Sequence, residues 1–356
     1  MDKIPTNAKL SETDLTNTNP RNYWQNVMRE KQNTFYNKIN KVEGHSFDNI
    51  LILDLEKFST QCSLTSPIID PRDILCFVEK CVDERFIYNR RVPRKALQYP
   101  NIKYSYRQMV VDFGVPGVGC LYNEVQSKNV ANKIVNFLQK NNIPIYLSEG
   151  HEQCGAIAAK LRKVNSREGF AFSPTSDEVL QAATTESQHT SKLIKSIAKS
   201  NFYDLKVFRK TARLTQSVYR NEDDKGVNLA TIHNGVGLVF LPNFLDKPSK
   251  SKVFEPDKFC LSHDVCLFNM IDTGRDLDNC DNSTAEYIVF CLNIMIGANG
   301  LGLDFFKETP LIIMAACDKT IPTDLLRSHQ IVQQIKDILK DKQELIDCLK
   351  FVFIEY

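Results

Sequence analysis

The chain has 356 residues, 42% of them apolar and 25% charged, a composition that supports a large buried core and sets aside disordered, collagen-like and mucin-like classes. Its 45 Lys and Arg against 43 Asp and Glu leave a formal net charge of +2, too small a field to make nucleic acid a default partner. No apolar run reaches the roughly 20 residues that a bilayer-spanning helix needs, so neither nucleic acid nor membrane is expected as a partner.

The length suggests about two domains, or one large α/β domain. The first residues, MDKIPTNAKLSETDL, carry no apolar signal core, and a cytoplasmic location is expected. Eleven cysteines, an odd number without a repeated framework, read as reduced thiols in a reducing compartment, some buried and some available to a metal.

Residues 1–45 form a polar segment, expected as an arm that is flexible or wraps the body. The run FDNILILDL from Phe47 to Leu55 reads as a strand, and Asp70 to Glu84 reads as a helix entered through Asp70-Pro71. Residues 85–104 interleave arginines with tyrosines, a pattern of solvated charge beside packing rings that could also hold an anion. Gln108 to Gly114 is a short apolar strand running into the turn VPGVG, followed by an amphipathic helix from Val130 to Gln139. Ile143 to Leu147 is a buried strand, and His151-Glu-Gln-Cys154-Gly155 opens a further helix through Lys163. This strand, helix, strand, helix order puts the candidate functional residues just past the carboxyl end of a strand.

Lys192 to Arg220 reads as helical, and Thr231 to Asn243 as a strand or hairpin. A second unit then repeats the grammar of the first at a distance of about 160 residues. Leu267 to Gly274 parallels Met109 to Gly114, Thr284 to Ile296 is a helix, and Pro310 to Ala316 is a strand followed by Cys317-Asp318-Lys319. Ser328 to Leu349 is read as a final helix serving packing or a dimer contact. The expected fold is α/β: a central, mostly parallel or mixed sheet flanked by helices. Its divisions are a first unit at 46–250 with a helical insertion and a second at 251–356, the two able to form one continuous domain.

His151 and Cys154 stand three apart, a spacing that on a first helical turn aims imidazole and thiolate at a common point and suits two ligands of a zinc ion. The stretch NVANKIVNFLQKNNIPIYLSEGHEQCGAIAAKL, residues 129–161, resembles the β-class carbonic anhydrases, in which a helix and strand lead to Gly-His-x-x-Cys-Gly. The resemblance implies catalytic zinc on His151 and Cys154, hydration of carbon dioxide to bicarbonate by zinc-bound hydroxide, a small-molecule substrate and a homodimer or protein partner. That family also carries a Cys-x-Asp-x-Arg segment, which supplies the third ligand and an Asp-Arg pair that orients the nucleophile. Sought near 95–110, where no cysteine stands, this segment is read as lacking a complete copy upstream of His151.

The third ligand is accordingly expected from Cys317, at the end of the second unit's strand, with Cys120 as a local alternative. Asp112 or Asp318 is expected to accept the hydrogen bond of the nucleophile, and Arg275 or Lys319 to steady an anionic product. Two other classes stay open: a cysteine-dependent hydrolase with His189 or His233 as base for Cys154, and a non-catalytic interaction module built on an enzyme fold. Cys260-x-x-His263-x-x-Cys266 has metal-like spacing but no fourth ligand nearby. The glycine-rich strings match neither a P-loop nor a dinucleotide fingerprint.

Overall fold

The computed structural model describes residues 20–62, 66–81, 109–114, 124–165, 173–212, 233–249, 251–274 and 283–356. Helix α1, Pro20–Lys41, belongs to the segment expected as an arm, yet it buries a stripe of Met28, Gln32, Phe35, Ile39 and Val42. Those positions recur at helical spacing, which is how a polar sequence docks on a core. Gln32 Nε2 fixes the docking by donating to the carbonyls of Val236 and Pro310, at 3.2 and 2.8 Å.

Three sheets follow. In the six-stranded sheet the order is β1 (His45–Phe47), β2 (Ile50–Asp54), β12 (Leu349–Glu355), β11 (Leu311–Cys317), β8 (Gly237–Leu241) and β10 (Leu267–Ile271). A four-stranded sheet runs β5 (Met109–Gly114), β4 (Ile74–Lys80), β6 (Ile145–His151) and β7 (Lys206–Ala212), and β3 (Ile68–Ile69) pairs with β9 (Val253–Phe254). Among the described residues, β1–β2 and β3–β9 are antiparallel and the other pairings are parallel. Both β4 and β11 are buried along their whole length, as parallel strands covered on both faces must be, and both read as nearly unbroken apolar runs.

The two large sheets share one topology. In the first, strands β4, β5, β6 and β7 stand in the order second, first, third, fourth; in the second, β8, β10, β11 and β12 stand in that same order. The second strand of each unit, β5 and β10, lies against the other, so the two sheets meet edge to edge. The six-stranded sheet draws on residues both before and after 250, whereas the four-stranded sheet lies wholly within 74–212, so the sheets do not coincide with units divided at 250.

Several helices separate or cover these strands: α2 (Leu55–Cys62), α3 (Glu124–Lys140), α4 (Gly155–Asn165), α5 (Ser176–Ser200), α6 (Pro256–His263), α7 (Thr284–Ile296), α8 (Leu303–Glu308), α9 (Pro322–Ile338) and α10 (Gln343–Asp347). Helices α5 and α7 both start on full capping boxes, Thr175 with Glu178 and Ser283 with Glu286. The expected helix at 70–84 is instead a single turn followed by strand β4. Asp70 does cap Arg72, but the cap serves only Pro71–Asp73, because Ile74-Leu-Cys-Phe-Val is a continuous apolar strand. The expected helix at 192–220 ends at Ser200 and gives way to β7. The expected final helix stops at Ile338, and Leu349–Glu355 becomes a central strand between β2 and β11.

His263 is packed by three phenylalanines, with ring centroids 5.3 Å from Phe35, 5.0 Å from Phe58 and 4.3 Å from Phe259. It closes the apolar core between α1, α2 and α6 and belongs to no metal-capable group among the described residues. Burial lowers its pKa to about 3, with Lys38 adding to the effect. Since the folded value lies below the ordinary one near 6.5, the neutral ring's stabilisation is complete above pH 6.5 and is lost as pH falls from there toward 3. His263→Leu should therefore flatten the fall in unfolding free energy between pH 6.5 and pH 4, read by urea unfolding at a series of pH values.

The carboxyl end of the six-stranded sheet is crossed by buried ion pairs. Arg327 Nε donates to Asp272 Oδ2 at 2.8 Å, and Lys247 Nζ donates to Asp324 Oδ2 at 2.6 Å and to the Tyr356 hydroxyl at 3.0 Å. Lys247 and Asp324 are 2% and 0% exposed, so neither can turn to water if the other is removed. Lys247→Met, which strands the Asp324 carboxylate, should cost about 3–5 kcal/mol in denaturant unfolding.

Candidate metal centre

Adjacent parallel strands β4 and β6 are paired from Cys76–Ile145 to Glu79–Ser148. Their onward connections diverge, β4 leading to β5 on one side and β6 to β7 on the other. A crevice therefore opens past their carboxyl ends, the place where α/β sheets collect ligands. Three side chains converge there: Cys81, one residue beyond β4; His151, the last residue of β6; and Cys154, just ahead of α4.

The ligand atoms of Cys81, His151 and Cys154 all lie within 4.8 Å of one another. The two sulfurs are 3.9 Å apart, far beyond a disulfide bond and close to the roughly 3.8 Å that two thiolates adopt on a tetrahedral zinc with Zn–S bonds of about 2.3 Å. His151 Nδ1 sits 2.7 Å from the carbonyl of Glu152, a contact in which Nδ1–H donates. That tautomer puts the ring's lone pair on Nε2, the arrangement of a metal-binding imidazole oriented by an outer hydrogen bond. The donor set, two sulfurs and one imidazole, suits zinc among the common cations.

His151 and Cys154 do not share a helical turn, as their spacing suggested. His151 ends a strand, and the chain reverses through Glu152 and Gln153, with Gln153 in the left-handed region at φ 53°, before α4 begins at Gly155. Cys154 then stands at the amino end of α4, where its carbonyl accepts from Ala158 N at 2.9 Å. Gly150 is needed for the approach of α5, since a Cβ there would sit 2.7 Å from the carbonyl oxygen of Ala183. The hydrogen bond with the Cys154 thiol, followed by burial, pushes the Cys81 thiol well up from its ordinary value.

These residues line a cavity of about 50 Å³ that also includes Glu79, Ser148, Ile157, Thr190 and Tyr287. The volume admits a few waters or a single very small molecule. Glu79 Oε2 accepts from the Tyr146 hydroxyl at 2.6 Å and from Ser148 Oγ at 3.0 Å. Burial outweighs these bonds and raises the carboxyl's pKa to about 7. Tyr287 comes from α7, an element of the second unit, so both halves of the chain enclose the cavity.

Cys317 is not the third member of the group. It closes β11 in the six-stranded sheet, whereas Cys81, His151 and Cys154 stand at the end of the four-stranded one, with β8, β10, β5 and β4 between β11 and β6. Its sulfur lies 3.3 Å from Ser328 Oγ, and burial pushes the thiol up to about 12. Asp318 follows it on that remote edge, where Oδ1 accepts from the backbone and hydroxyl of Thr320. Asp112 occupies β5, paired with Val78 of β4. Arg275 and Cys120 lie outside the described residues. Asp272, the residue expected to open an anion-binding turn with Arg275, is committed to Arg327, Thr284 and the Gly274 backbone.

Cys81 is the member of this metal-capable group that the sequence reading missed, and a signal for it was present. Residues 81–85 read Cys81-Val-Asp83-Glu-Arg85, a full Cys-x-Asp-x-Arg segment lying ahead of the 95–110 window in which it was sought. Only Cys81 of this segment falls among the described residues. His189 is exposed on α5, and His233 stacks on Phe268 with centroids 5.6 Å apart; neither lines the cavity with Cys154. No helix among the described residues is long and apolar enough to cross a membrane. Compared with protein-family models, with curated proteins and with solved structures, the chain finds no significant match, so the assignment of this centre rests on its own residues.

Proposed function

We propose that Cys81, His151 and Cys154 hold a zinc ion and that the chain is a zinc-dependent lyase of the β-carbonic anhydrase kind, hydrating carbon dioxide to bicarbonate. The observation that carries this reading is the meeting of the three ligand atoms within 4.8 Å at the divergent ends of β4 and β6. The sequence supports it from both sides, because Cys81-x-Asp83-x-Arg85 and Gly150-His151-x-x-Cys154-Gly155 match the two segments of that family. Bound zinc would supply a Lewis acid that makes water nucleophilic near neutral pH.

The chain's own residues then have defined tasks. Glu152 orients His151 through its carbonyl, and the reversal through Gln153 sets Cys154 beside it at the start of α4. Ile157, Ala183 and Tyr287 narrow the cavity to a volume of about 50 Å³, a size that suits a molecule as small as carbon dioxide. By the family resemblance, Asp83 would accept the nucleophile's hydrogen bond, the task earlier expected of Asp112 or Asp318, and Arg85 would orient Asp83.

A cysteine hydrolase finds less support. Neither His189 nor His233, the bases expected for Cys154, lines the cavity, and among the described residues the one imidazole there is His151 itself.

Elemental analysis of protein purified under reducing conditions should give about one zinc per chain. Cys81→Ser, His151→Ala and Cys154→Ser should each lose that zinc, while Cys317→Ser should keep it. In stopped-flow carbon dioxide hydration, Asp83→Asn should retain the zinc yet lose on the order of a hundredfold in kcat/KM. Retained zinc in all three ligand variants would refute the metal assignment, and a zinc-loaded chain without hydration activity would refute the reaction.

A further inference from the structure

The second unit holds a larger cavity that the proposed reaction does not use. It occupies about 740 Å³ past the carboxyl ends of β2, β11 and β12, between α2 and the β3–β9 ribbon. This is the range of small-molecule sites and the side of a parallel sheet where they form. It belongs to the six-stranded sheet, remote from the Cys81 group.

Its wall is built before any ligand arrives. Asp318 Oδ1 accepts from Thr320 N at 3.0 Å and from Thr320 Oγ1 at 2.7 Å, while Ile321 N donates to the Asp318 carbonyl at 2.9 Å. Lys319 N donates to the Tyr356 carbonyl and Tyr356 N to that of Cys317, both at 3.0 Å, so the turn and the last residue are locked together. Behind them, buried Lys247 donates to the Tyr356 hydroxyl and to Asp324, which fixes the floor.

Two lysines face this rigid wall with their charge available. Lys319 is half exposed, and its one ion pair, to Asp54 at 3.4 Å, is a surface pair of little worth. Lys252, on the ribbon side, makes no ion pair among the described residues, and its charge acts at longer range on Asp70. Ser59, Thr60, Ser66 and Ser251 add hydroxyls to the lining, Glu56 and Asp318 add carboxylates, and Leu55 and Ile68 supply a small apolar strip. Two ammonium groups lining one cavity suit a dianionic phosphate, and hydroxyls in the same lining suit a body rich in oxygen.

We propose that this cavity is a binding site for a phosphate monoester on a hydroxylated body, such as a sugar phosphate or a nucleoside monophosphate, with Lys252 and Lys319 holding the phosphate. The inference goes beyond the zinc reading and stands apart from it, because no residue is shared between the two cavities.

Isothermal titration of the full chain with ribose 5-phosphate, AMP and inorganic phosphate tests it. Ribose 5-phosphate or AMP should bind with a dissociation constant of about 1 mM or tighter, and inorganic phosphate at least about tenfold more weakly. Lys252→Ala and Lys319→Ala should each weaken the organic phosphates about tenfold, and Ser59→Trp, which fills the cavity from α2, should abolish their binding. Zinc content should be unchanged in all three variants. A preference for AMP over ribose 5-phosphate would identify the nucleotide as the source, and the reverse preference the sugar phosphate. Absence of heat with all three probes, equal affinity for inorganic phosphate, or binding indifferent to both lysine variants and to Ser59→Trp would overturn the proposal.

Discussion

The metal-capable group hangs on a buried ion pair one residue away from it. Lys80 Nζ donates to Asp257 Oδ2 at 3.1 Å, with the two side chains 4% and 0% exposed, and Asn269 donates to the same carboxylate. Lys80 ends β4, Asp257 lies in α6 and Asn269 in β10, so the contact ties one sheet to the other where their edge strands meet. Two charges removed from water gain little net stability but are severe about geometry, since either one left alone would be costly. The end of β4 is thereby held in place, and Cys81 leaves it in a fixed direction toward His151 and Cys154.

The same constraint explains why a second unit is present around a small centre. The cavity beside Cys81 is closed in part by Tyr287, while Phe290 of α7 packs against the apolar cluster containing Cys154 and Ala156. Helix α7 can lie there because β5 and β10 adjoin and because its amino end is fixed by the Ser283–Glu286 box. The four-stranded sheet alone would leave that side of the crevice open to water. Fold and site are thus coupled through the seam between sheets, and not only through strands β4 and β6.

Parts of this were legible in the sequence and parts were not, for reasons that can be located. Thr284 to Ile296 was readable to the residue, because an apolar run with a Ser-x-x-Glu entry has little competing interpretation. Met109–Gly114 and Leu311–Cys317 were visible as apolar runs ended by turns, and so the repeat of strand order could be anticipated. Residues 74–80 were lost because Asp70-Pro71 is a true helix-entry signal spent on one turn, and a short apolar run does not reveal its own period. Reading that run as helix removed the strand end on which Cys81 sits, which is why Cys-x-Asp-x-Arg at 81–85 escaped notice. The His151–Cys154 pair was legible as a pair but not in its geometry, since spacing alone does not tell a helical turn from a reversal through a left-handed Gln153.

A comparison of the two units shows how one topology leads to opposite outcomes at matching edges. Past β4 and β6, the first unit sets two thiols and an imidazole, groups that gain most by taking a cation from solution. Past β8 and β11, the second unit sets Asp318 and Asp324 around Lys247, an ammonium already attached to the chain. A carboxylate pair there would also attract a metal, but the lysine occupies the position and its 2% exposure keeps water from displacing it. The second crevice is therefore closed at its switch point, and open space on that edge appears only farther along the sheet, over β2 and β12. The fold provides the crevice twice; which cation fills it, free or tethered, is decided by the few residues that follow the first and third strands.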